Sequence, residues 1–111
     1  MSHILYMLLI EHLKHELMRM DAQLDDMHKK YVAVDAEWKA IDRCRRRYPE
    51  ADFNDSLQSL NAELLDIVAT QKIVQAEMYD AREAIKHLNM IISEEARSAS
   101  LSMNCTHSET Q

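Results

Sequence analysis

The chain has no glycine and a single proline in its 111 residues. Without glycine there is no low-cost residue for turns that need positive φ, for loops whose backbone cradles a phosphate, or for a hinged lid. Cysteine is nearly absent as well. Cys44 and Cys105 are the only two thiols, far short of a disulfide framework. A long helical hairpin places them at opposite ends, beyond bridging distance, and the expected setting is reducing and cytoplasmic. Aromatic residues make up only 5%. Leu, Met, Ala, Glu, Lys, Asp and Arg carry the composition instead, and most of these favour helices.

Long hydrophobic runs are missing too. The longest, Ile4-Leu5-Tyr6-Met7-Leu8-Leu9-Ile10, falls well short of the roughly 20 residues that cross a bilayer. It has no basic leader and no small-residue cleavage site, so no signal peptide is expected. Asn104-Cys105-Thr106 matches a glycosylation acceptor but carries little weight without a secretory signal. Nor is there an excess of positive charge. The formal net charge of −6 argues against broad binding to phosphate backbones and disfavours nucleic acid as a partner.

What the chain does have is one unbroken pattern. Leu17, Met20, Leu24, Met27, Tyr31, Val34, Trp38, Ile41 and Tyr48 recur at alternating steps of three and four, with Arg45 the one polar member. The ladder extends back through Leu13, Ile10 and Tyr6. It restarts as Leu57, Leu60, Leu64, Ile67, Gln71, Val74, Met78, Ala81, Ile85, Leu88 and Ile92. A seven-residue repeat of this length puts one apolar stripe on each of two helices and asks for the two to cover each other.

The fold expected is therefore all-α: a long antiparallel two-helix coiled-coil hairpin, pairing into a four-helix bundle dimer. The helices are expected at 3–47 and 56–97, joined by a turn at 48–55, so that residues 1–97 form the hairpin. The first helix is then about 67 Å long at 1.5 Å per residue. Ser2 is a competent N-cap, and Pro49 disfavours helical geometry at Tyr48. Asp52, Asn54, Asp55 and Ser56 are all able to cap the second helix. One unbroken helix is the rival architecture. Pro49 opposes it by roughly 3 kcal/mol, and the ladder slips across the turn. From Ser98 onward the many small polar residues read as a flexible tail over 98–111.

Folding the chain back on itself pairs Tyr48 with Leu57. The same register then pairs Ile41 with Leu64, Trp38 with Ile67, Tyr31 with Val74, Met27 with Met78, Leu24 with Ala81 and Leu13 with Ile92. Three layers break the apolar rule: Val34 with Gln71, Leu60 with Arg45 and Ile10 with Glu95. An unpartnered Gln71 amide in the seam costs on the order of 1–3 kcal/mol.

Four features bear on function. Leu5, Met7, Leu8 and Leu9 lie off the stripe at one end of the hairpin, beside Met90 and Ile91 of the second helix, and Leu65, Val68 and Ile73 form a second patch. A two-helix hairpin has one seam and cannot cover them, which points to a partner-binding surface; the competing explanation is that these residues merely widen the seam. Eight methionines suit a surface that repacks around different clients, or serve as core filler. Arg43, Arg45, Arg46 and Arg47 surround Cys44 and are candidates for anion binding, although cations also belong at a helix C-terminus. Glu11, His12, His15 and Glu16 have helical spacing for a metal ligand set but lack the zinc-peptidase order and read as a solvated face.

No metal, cofactor or catalytic residue is expected, because a two-helix rod offers no cleft in which a nucleophile, a base and an orienting group could meet. The functional expectation is a non-enzymatic protein-protein interaction module: an adaptor, an assembly subunit or a small chaperone. It self-associates as a homodimer, binds amphipathic helices of a partner protein, or does both. In size and acidic helical outline the chain resembles the small helical chaperones and stalk components of bacterial secretion systems, although no motif carries the likeness. The alternative is a small helical-hairpin nucleic-acid binder using Arg43 to Arg47. A third reading makes the first ten residues an interfacial membrane helix.

Overall fold

The computed structural model describes the backbone of residues 2–109 and the side chains of residues 3–101. Two helices, α1 (Ser2–Arg47) and α2 (Asn54–Glu109), account for all the regular structure among the described residues. They pack against each other as an antiparallel hairpin. Their contacts fall into two compact units, Met1–Met18 with Met78–Gln111, and Arg19–Glu77.

The reversal is made without glycine because it needs none. No described residue has positive φ. The last turn of α1 closes with Tyr48 N–H donating to Cys44 O at 2.8 Å, and Ala51 N–H then donates to Tyr48 O at 3.1 Å. Pro49 thus occupies the second position of a four-residue turn, where its fixed φ is already correct. Of the four possible caps, Asp52 is the one whose side chain meets the start of α2, in an Asx turn in which its Oδ1 accepts the Asn54 amide at 3.0 Å. The helix proper begins with Leu57 N–H on Phe53 O, and Asp55 lies in the first turn, complementing the dipole. Pro49→Ala is expected to lose only about 0.4–1 kcal/mol, through a freer unfolded chain. A urea melt followed by circular dichroism checks this; a larger loss would mean that the proline holds the hairpin together.

Every ladder position from Ile10 to Ile41 and from Leu57 to Ile92 is buried or half-buried. In the Arg19–Glu77 unit, Val34, Leu60 and Ile67 form a buried cluster, with Met27, Tyr31, Trp38, Ile41 and Leu64 packed on it. Each large side chain taken out of water there gains roughly 1.5–3 kcal/mol. Salt bridges outside the seam matter less. The hydrogen bonds that Lys29 and Lys39 donate to Asp25 and Asp35, followed by the charges of those carboxylates, hold both lysines above the ordinary lysine pKa. Both ammonium groups are fully solvated, so these i,i+4 pairs add little to stability.

Trp38 packs on the cluster that contains Ile67, in keeping with the sequence pairing, while other contacts fall between one and two helical turns from it. His3 Nδ1 lies 3.9 Å from Glu95 Oε2, where the sequence pairing places His3 opposite Ser102. Ile41 shares a groove with Ser56, Ser59 and Leu60, and Val34 clusters with Leu60 and Ile67. Ile10 lies beside Asn89 and Ile92. Tyr48, expected to face Leu57, falls outside the seam and is 49% exposed. The reason is that two stripes with the same repeat match equally well after a one-turn slide. Pattern cannot choose between those registers; the packing within each unit does.

α2 also runs further than composition suggests, through Glu109 instead of ending near Arg97. No glycine or proline follows Phe53 to stop it, and Ser, Thr and Asn each cost a helix only about half a kcal/mol relative to Ala. The side chains of residues 102–111, Cys105 among them, lie outside the described residues.

Candidate interaction site

α1 begins at Ser2 with no acidic residue in its first turn, and its second turn is apolar on every side. Ile4, Leu5, Met7, Leu8 and Leu9 are between 43% and 67% exposed, while Tyr6 is half-buried and Ile10 buried. Successive residues of a helix are about 100° apart, so one neighbouring helix covers only the Tyr6–Ile10 flank. A helix hydrophobic all round is normally buried all round. On α2, Met90 is exposed but Ile91 is half-buried, and in the second patch Leu65 and Ile73 are exposed while Val68 is half-buried. Ile91 and Val68 therefore widen the seam instead of facing solvent. Ile4 is absent from the candidate set drawn from the sequence, yet it is more exposed than any of the four residues chosen from that run.

Between the two helices of this unit runs a groove of about 260 Å³. His3, Met7, Ile10, Glu11, Lys14, Asn89 and Ile92 line it, and Lys14 pairs with Glu11 at 3.5 Å. A second groove follows α2 past Asn89, Met90, Ser93, Glu94 and Arg97.

The arginine cluster at the other end of α1 is organised by a residue that periodicity overlooks. Asp42 is 4% exposed and is the one buried charged side chain among the described residues. Its Oδ1 accepts from Arg45 Nη2 and its Oδ2 from Arg46 Nη2, both at 2.6 Å. Arg43 directs its Nε toward the Lys39 carbonyl at 3.4 Å. Two of the four candidate anion-binding guanidiniums are thus already engaged by a carboxylate. The spacing Asp42-x-x-Arg45-Arg46 contains that signal, because i,i+3 and i,i+4 partners meet on a helix. What the spacing does not show is that Asp42 is buried.

Three residues toward the N-terminus from Ile41, Trp38 contributes its ring to the core but its buried Nε1 has no hydrogen-bond partner. That N–H costs on the order of 1–3 kcal/mol, a loss the area of the ring offsets. His12, His15, Glu11 and Glu16 do not converge: among the described residues no three His, Cys, Asp or Glu side chains are placed to hold a metal ion. Among those same residues, no helix is long and apolar enough to cross a membrane.

Comparison with protein-family profiles, with curated proteins and with solved structures returns no match.

Proposed function

We propose that the protein is a non-enzymatic interaction module that offers the apolar start of α1 to amphipathic helices, of its own kind or of another protein. It acts as an adaptor, an assembly subunit or a small secretion-type chaperone in a reducing, cytoplasmic setting. One observation carries the reading: five large aliphatic side chains in six consecutive residues, Ile4 to Leu9, stand in solvent around a helix that one partner helix cannot enclose. The exposed methionines Met7 and Met90 beside them suit a surface that adapts its packing.

The nucleic-acid reading has less support. The net charge is −6, and Arg45 and Arg46 are held by Asp42.

The test is capture from a native extract, comparing the unaltered chain with a Leu5→Asp, Leu8→Asp double variant as bait. Helical proteins, or further copies of the chain itself, are expected on the first bait and at least about tenfold depleted on the second. Identical captured sets would overturn the assignment of binding to this end.

A further inference from the structure

We propose that the outward face of the last turns of α1, carrying Lys39, Arg43, Arg46 and Arg47, docks an acidic helix of a partner protein. This surface belongs to the Arg19–Glu77 unit. It stands whether or not the apolar start of α1 binds anything.

Periodicity is the first support. With successive residues about 100° apart, Lys39, Arg43, Arg46 and Arg47 fall together within an arc of about 100° on α1. All four are exposed. The arc lies on the side of α1 opposite the Val34, Trp38 and Ile41 stripe, which packs on Leu60, Leu64 and Ile67 of α2. Ala36 and Ala40, also exposed, border it, and such small side chains let a second helix come close.

Charge is the second support. From Trp38 to Tyr48 the chain holds five cations and one carboxylate, a net charge of +4 within a total of −6. Asp35 and Asp42 lie between this face and the seam, so they hold Lys39, Arg45 and Arg46 from that flank only. Arg45 and Arg46 share one carboxylate, and each gives it one of its five N–H donors. Arg43 and Arg47 enter none of the ion pairs of this cluster among the described residues. Two acids beyond the turn are directed elsewhere: Asp52 accepts the Asn54 amide, and Asp55 lines the groove beside Glu37 and Ile41.

The occupant follows from the spacing. A helix laid along this face meets its own repeat, so carboxylates at i, i+4 and i+7 on it come opposite the cations, as flanking charges do in coiled coils. Opposed charges then fix its orientation and register. Nucleic acid fits less well, because single strands need successive aromatic platforms. Here Trp38 is packed on the core cluster and Tyr48 lies past the end of α1. The acidic remainder of the chain also repels a long polyanion.

Fluorescence anisotropy with the full chain tests this. The probe is a labelled alanine-rich peptide of about 20 residues, long enough for helix formation, with glutamates at i, i+4 and i+7 along one face. Binding is expected with a Kd on the order of 100 μM at about 50 mM NaCl, and at least about fivefold weaker at about 300 mM. Replacing Arg43 and Arg47 together by Gln is expected to weaken it at least about tenfold, whereas Lys at both positions keeps it within about threefold. Lys72→Gln with Lys86→Gln changes the net charge by the same amount and is expected to leave binding unaltered. Helicity by circular dichroism is retained throughout, since every one of these side chains is exposed or half-buried.

Equal weakening by the two charge-matched pairs of substitutions overturns the proposal, because it would show a response to net charge alone. So does equal binding of a peptide with the same glutamates scattered around the helix. An oligonucleotide held more tightly than the peptide by these arginines assigns the face to nucleic acid instead. An Arg43-dependent rise in the protein's own mass by light scattering assigns it to a second copy. The Leu5→Asp, Leu8→Asp double variant is expected to bind the peptide normally; loss there would place the contact at the start of α1 and overturn this assignment.

Discussion

Ile67→Ala is expected to cost roughly 2–5 kcal/mol, the loss typical of emptying a packed core position. Ile67 is 5% exposed and belongs to the Val34–Leu60 cluster. That loss is a large part of the whole, since a domain of this size is held by about 5–15 kcal/mol in total and one seam supplies most of it here. Ile67→Asp goes further. It strands a carboxylate between aliphatic side chains and is expected to leave the chain largely unfolded at 25 °C. Leu65→Ala, two residues away but 70% exposed, is expected to change stability by under about 0.5 kcal/mol.

Urea melts by circular dichroism give these values. Trp38, the chain's single tryptophan, packs on the same cluster and reports the local event by fluorescence. An Ile67→Ala protein that melts like the unaltered one would mean that the two helices are not held by this seam. Any self-association makes every midpoint rise with protein concentration, so the comparison is made at one fixed concentration.

The second large effect concerns Asp42, where two substitutions are expected to rank against intuition. Asp42→Asn keeps the shape but removes two charge-assisted hydrogen bonds. Its expected cost is about 1–2 kcal/mol, discounted because the side chains of Arg45 and Arg46 are 50% and 73% exposed and stay solvated when released. Asp42→Leu removes the same bonds but also removes the desolvated carboxylate. It is expected to be the milder change, near neutral. Equal losses would show that the carboxylate is not strained by burial.

The same Asp42→Asn variant probes the arginine cluster. Once Arg45 and Arg46 are released, a nucleic-acid binder would take up a single-stranded oligonucleotide with a steeper salt dependence. The interaction-module reading expects no binding at physiological salt in either form. Salt-dependent binding by the unaltered protein that disappears when Arg43, Arg45, Arg46 and Arg47 become Gln would shift the function to nucleic acid.

How far each feature could be read in advance depends on how local its cause is. The two ladders were legible because a helix repeats every 3.6 residues whatever lies beside it, and every position from Ile10 to Ile41 and Leu57 to Ile92 is indeed covered. The excess of apolar residues at Leu5, Met7, Leu8 and Leu9 was legible for the same reason: they are apolar and lie off the stripe. Gln71 is half-buried, as its place on the second ladder implied. Asp42 was missed altogether, since a carboxylate followed by arginines reads as surface until a second helix lies across it.

The residues alone, then, determined that the chain is helical, that it reverses at its one proline and which face of each helix is apolar, because propensity and periodicity act within a few residues. Tertiary structure decided the rest. A repeating stripe satisfies its partner equally well at several offsets, so it is the packing within each unit that sets Ile41 beside Leu60 in one and His3 beside Glu95 in the other. It is likewise tertiary packing that leaves Tyr48 in water and takes Asp42 out of it.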